Sequence, residues 1–130
     1  MLREQLADKD SGQHLLRPHS AYNVLAAPLG CQIWPEKPFW HQDIDDLGGG
    51  VTLRIYGLTS TLLSGRNGND DRKEDLYLSP MQTVINPEAN TANLVMVHHP
   101  IDWLADGDEV DDDLTARAQF HLFATSTANV

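Results

Sequence analysis

The spacing of apolar positions changes several times along this chain, and each change marks an element. Near the start, Leu2 and Leu6 recur at a helical spacing until Asp10-Ser11-Gly12 breaks the pattern. After Pro18, Ser20 is a good N-cap, and Tyr22, Val24, Leu25 and Ala26 supply an apolar face that Pro28 and Gly30 end. This predicts a helix over about 20–27. Residues 31–50 read mostly as loop, with Pro35, Pro38, the turn-prone Asp43 to Asp46 run and Gly48-Gly49-Gly50. From Val51 the period becomes two: Val51, Leu53 and Ile55 alternate with Thr52, Arg54 and Tyr56, which predicts a half-buried strand over 51–57. Gly65 to Asp71 is a polar loop, and a short helical turn surrounds Pro80, Met81 and Val84. Leu94 to Val97 is a continuous apolar run, read as a strand at about 93–98 that is buried on both faces. A final helix fits Asp111 to Leu122, with Asp111 to Asp113 at its electropositive start.

Period-two and helical segments alternate, so the expected fold class is α/β in the broad mixed sense. The two strands share one sheet, with helices at 20–27 and 112–121 packed on it. No repeat or low-complexity linker divides the 130 residues, which suit one domain.

Charge narrows the function classes. With 9 Lys+Arg against 19 Asp+Glu the net charge is −10, and general nucleic-acid binding needs a basic face instead. A single cysteine forms no internal disulfide, and the N-terminal residues lack the basic and apolar regions of a signal peptide. No apolar run approaches the roughly 20 residues that span a bilayer. The expectation is a soluble, cytoplasmic domain that does not bind membranes.

The candidate chemistry centres on LVMVHHP, residues 94–100. A buried strand ending in two histidines puts imidazoles on a rigid edge, where a metal ligand or general acid/base can be held accurately. Pro100 pushes His99 toward an extended backbone and stops the strand. Other features are weaker. The acidic run Asp106 to Asp113 fails the calcium-loop template and reads as a solvated helix entry. Cys31 reads as a small buried hydrophobe, His14 and His19 as surface residues, and His121 as a satisfied, partly buried histidine. Trp34, Phe39 and Trp40 read as aromatic packing of a long loop.

At LVMVHHP and the downstream stretch ending in FHLF, the sequence resembles the calcineurin-like metallophosphoesterases. In that family a buried strand ends in a histidine two residues before a proline, and this histidine binds one of two metal ions. The resemblance implies His98 as the metal ligand. It makes His99 the catalytic candidate beside it, behind the ligand or on the substrate side. Gly57-Leu58-Thr59-Ser60 looks like the family's segment before the histidine motif. The family then places a helix and a short strand leading into Gly-His-x-His. Here Thr115 to Phe123 forms the approach, but Ala124 to Val130 follows. One added base at codon 124, with suitable codons, turns that tail into Gly-His-Lys-His-Arg-Gln-Arg, so a frameshifted tail is one reading of 124–130. Asp-x-His and Gly-Asn-His-Asp are absent from the sequence, and Gly-Asp-x-x-Asp has no counterpart upstream of His98.

The resemblance spans 51–123 and implies an incomplete metallophosphoesterase-like β-sandwich flanked by helices. It implies a binuclear divalent metal (manganese, zinc or iron) in a complete member and a phosphoester substrate. Such a chain is a partial domain, inactive alone, whose partner is the missing upstream segment. The alternative reading is an acidic, non-catalytic interaction module that uses the Trp34/Phe39/Trp40 loop.

Overall fold

The computed structural model describes residues 16–62 and 76–124. Helix α1 is Ser20–Ala26, followed by strands β1 (Phe39–Ile44), β2 (Thr52–Leu58) and β3 (Thr91–Val97), helix α2 (Gly107–Arg117) and strand β4 (Phe120–Phe123). The four strands form one mixed sheet in the order β1-β2-β3-β4. β1 runs antiparallel to β2, while β2, β3 and β4 are mutually parallel. The chain is therefore mixed α/β, and both expected strands lie in the same sheet. No helix of the described residues is long and apolar enough to cross a membrane.

Strand β1 lies where a loop was expected. Its sequence FWHQDI lacks clean alternation, and pairing with β2 supplies the order instead. Arg54 on β2 donates two hydrogen bonds to Asp43 opposite it, at 2.8 and 3.0 Å. The connection between the strands uses Gly48, Gly49 and Gly50 at φ of +88, +69 and +71, a run that only glycine adopts cheaply.

The core lies on one face of the sheet. Tyr56, Leu58, Val95 and Val97 point to that side and pack with Val110 and Leu114 of α2 and with Leu76, Leu78, Ile85 and Leu104. Val110 and Leu114 are four residues apart, so one helical face presents both to the sheet.

Helix α2 starts earlier and ends sooner than its apolar pattern suggests. Asp108 and Glu109 occupy its first turn, where carboxylates suit the helix dipole. It stops because Ala118 turns extended, at φ −127 and ψ 139. The FHLF segment then continues as strand β4. His121 on β4 reaches back to the helix end, its Nε2 2.9 Å from Leu114 O and 3.0 Å from Ala118 O. Carbonyl oxygens only accept, so Nε2 carries the hydrogen and caps the exposed end of α2.

Two burial expectations are corrected. Strand β3 is buried on one face only: Asn93, Val95 and Val97 are buried, whereas Met96 is 43% exposed. Among the described residues a single sheet is present, so no second layer of a sandwich covers Met96, Phe120 and Leu122. Helix α1 does not use its apolar stripe either, since Val24 and Leu25 are among the most exposed apolar side chains. Polar contacts hold it: Asn23 Nδ2 donates to Ile33 O at 2.8 Å, and Ile33 N–H donates to Asn23 Oδ1 at 2.9 Å. Ser20 is the first residue of α1, with His19 at the cap position.

Candidate functional site

The C-terminal ends of β2, β3 and β4 open onto one cleft of about 560 Å³. Loops leaving the C-terminal ends of parallel strands emerge on one side of a sheet, so their residues come together there. Gly57 to Thr61 come from the end of β2, Met96 to His98 from β3, and Leu122 to Ala124 from β4. Tyr22, His19 and Trp40 close the near side.

His98 is the first residue after β3; it is exposed and lines the cleft. His99 is half-buried and is not a wall residue of the cleft. Its Nδ1 lies 2.7 Å from Ser60 Oγ, and its ring stacks on Trp103 with centroids 5.7 Å apart and planes at 23°. The two imidazoles meet edge to face at 4.8 Å. Adjacent residues after a strand face opposite ways, so one histidine meets the cleft while the next anchors the loop.

The segment Thr59-Ser60-Thr61 ties four parts of the molecule together. Thr59 N–H donates to Gln82 Oε1 at 2.7 Å, and Gln82 Nε2 donates back to Thr59 O at 2.8 Å. Gln82 is buried, and its Nε2 also donates to Leu78 O at 2.6 Å. Ser60 holds His99, while Thr61 Oγ1 is 2.8 Å from His19 Nε2. Each of three consecutive residues thus has its own partner. This fixes the cleft floor without an apolar signal that sequence patterning could detect.

His19, expected at the surface, is half-buried and lines the cleft; its Nδ1 is buried with no hydrogen-bond partner among the described residues. Burial lowers its pKa, since the charged ring loses solvation. His14 lies outside the described residues.

Trp40 sits over the end of β2. A Cβ on Gly57 would collide with its indole, so the ring rests directly on the strand backbone. Its other neighbours are Leu16, Ile33 and Leu62. Phe39, one residue earlier, points to the opposite side and joins the main core, while Trp34 is 48% exposed. Successive strand side chains alternate faces, so Phe39 and Trp40 lie on opposite sides of the sheet. Cys31 is half-buried instead of buried, with Sγ 3.4 Å from both Leu29 O and Gln42 Nε2.

The acidic run is structural as placed here. Asp106 accepts from Leu78 N–H at 3.1 Å and Ser79 N–H at 2.9 Å, pinning a neighbouring segment. The string Gly107-Asp108-Glu109-Val110-Asp111 matches Gly-Asp-x-x-Asp. It forms the start of α2 downstream of His98, with Gly107 and Val110 buried in packing. Among the described residues no three His, Cys, Asp or Glu side chains converge to hold a metal ion.

No family model, no curated protein and no solved structure matches this chain.

Proposed function

We propose that this chain is the C-terminal part of a metal-dependent phosphoester hydrolase of the calcineurin-like kind. In this reading His98 is one metal ligand, and His99 is the neighbouring histidine of the site. The carrying observation is the placement of His98: the first residue after a parallel strand, on the wall of a cleft at the strands' C-terminal ends. The Ser60–His99 contact adds support, because it joins the Gly-Leu-x-Ser segment to the histidine motif that the resemblance pairs with it.

The described residues offer too few ligands for two metals, and one imidazole holds a metal weakly. In this reading the remaining ligands come from an upstream segment and from the restored Gly-His-Lys-His tail, and little hydrolysis is expected of the 130-residue chain by itself.

The test is hydrolysis of an aryl phosphodiester with manganese or zinc. Three proteins are compared: the chain with its tail restored and the upstream segment supplied, the same protein carrying His98→Ala, and the 130-residue chain. The expected result is activity in the first, loss of most of it in the second and little in the third. Equal rates in all three would remove His98 from the site. Resequencing across codon 124 tests the tail separately, and a reading compatible with no shifted frame ends that part.

A further inference from the structure

The walls of the cleft combine two chemistries. The polar lining is the exposed His98 imidazole, His19 and the Thr59-Ser60-Thr61 segment, in which Ser60 Oγ already meets His99 Nδ1 and Thr61 Oγ1 meets His19 Nε2. The apolar lining includes Trp40, Tyr22, Met96 and Leu122. Although the chain carries 19 Asp+Glu, the described residues that line this cleft include no carboxylate. Those wall residues therefore add no close repulsion toward an anion.

The apolar lining is exposed: Tyr22 is 39%, Met96 43% and Leu122 53% exposed. Trp40 is held flat by its seat on Gly57, so it presents a rigid aromatic wall at little entropic cost on binding. The polar lining is equally fixed, through Gln82 on Thr59 and His19 on Thr61. A cleft of about 560 Å³ suits one small molecule with an apolar body and a polar head.

We propose that this cleft selects phosphoesters of flat aromatic alcohols: the ring lies on the Trp40–Met96–Leu122 wall, and the phosphate faces His98 and the Thr59–Thr61 segment. The proposal rests on the reading of His98 as part of a phosphoester site. It adds that the aromatic wall sets the preference for the alcohol. The substrate's anion is placed by groups of this chain, before any catalytic step.

Binding to the 130-residue chain tests this without hydrolysis. The probes are phenyl phosphate, methyl phosphate, inorganic phosphate and phenol, titrated by calorimetry or by chemical-shift changes. Phenyl phosphate should bind about tenfold or more tighter than each of the other three. Trp40→Leu should erase its advantage over methyl phosphate. Because Trp40 also packs against Leu16, Ile33 and Leu62, the double variant Met96→Ser/Leu122→Ser provides a check at exposed positions, and should reduce the same advantage. His98→Ala should weaken all three phosphate probes and leave phenol unchanged.

Equal affinity for phenyl and methyl phosphate, with both weakened by His98→Ala, overturns this proposal and leaves the phosphoester reading standing. Phenol binding as tightly as phenyl phosphate, with no effect of His98→Ala, overturns both. Absence of saturable binding by all four probes also overturns the proposal.

Discussion

Gly57 and Trp40 make a contact that neither residue announces by itself. The missing Cβ lets the indole rest on the end of β2, at the edge of the cleft. Gly57→Ala should cost about 1–3 kcal/mol through overpacking, read from urea unfolding. Combined with Trp40→Leu the loss should be less than additive, because the collision is gone. Strict additivity would show that the ring does not sit on the glycine. Histidine protonation acts at the same scale. Burial lowers the pKa of His19 and, ahead of the charges of Lys37 and Arg54, that of His41 below the usual 6.5. The unfolded chain therefore takes up protons first as the pH falls. Stability is full above about pH 6.5 and is lost as the pH drops through the lower folded-state values. The urea midpoint should decrease from pH 7.5 to pH 5.5, and His19→Gln with His41→Gln should flatten that decrease. An undiminished slope in the double variant would assign the effect to other groups.

At the scale of elements, strand β4 terminates helix α2. His121 supplies a hydrogen to the carbonyl of Ala118, just past the helix, and shares it with that of Leu114, which also accepts from Ala118 N–H. His121→Ala should destabilise by about 1–2 kcal/mol. His121→Gln, which keeps a donor, should recover part of that loss. An alanine variant as stable as the parent would show that water caps the helix equally well. The same packing explains why a helix was expected through Leu122. Leu114, Ala118 and Leu122 continue a four-residue spacing, and only the register of His121 and Phe123 beside Val95 and Val97 makes the last residues a strand. Strand β1 illustrates the converse. Its residues favour no element strongly, and pairing with β2 plus the Arg54–Asp43 ion pair decide the outcome.

For the molecule as a whole, one sheet face carries the core and the other keeps large apolar side chains exposed. Phe120 and Leu122 are each 53% exposed, next to Met96. Contiguous apolar area of this kind promotes association. Phe120→Ser should lower light scattering and the binding of a hydrophobic dye, while changing unfolding free energy by no more than about 0.5 kcal/mol. A large loss of stability would instead place Phe120 in a packed interior. The cleft belongs to this scale too. It gathers three strand ends and the segment before α1, residues from His19 to Ala124 that no local spacing relates.

Local rules determined a good deal by themselves. Alternation over 51–57 marked β2 as a strand, but the core takes Tyr56 and Leu58, while Val51 is exposed and Leu53 and Ile55 are half-buried, so the buried face is not the one the apolar positions suggested. The apolar run ending at His98-His99-Pro100 marked β3 and the place where a rigid strand meets a loop. The acidic run marked a helix entry through the helix dipole, but the helix begins at Gly107, ahead of the Asp111 start that the pattern suggested. Tertiary structure alone decided which histidine meets the cleft and which meets Ser60. It also brought His19 to Thr61, 42 residues away, and seated Trp40 on Gly57. The physical reason is the range of the forces involved. Periodicity and capping act within a few residues and leave a trace in the sequence. Hydrogen bonds between distant side chains, and the faces left bare when layers stack, depend on where the chain returns, which no local spacing encodes.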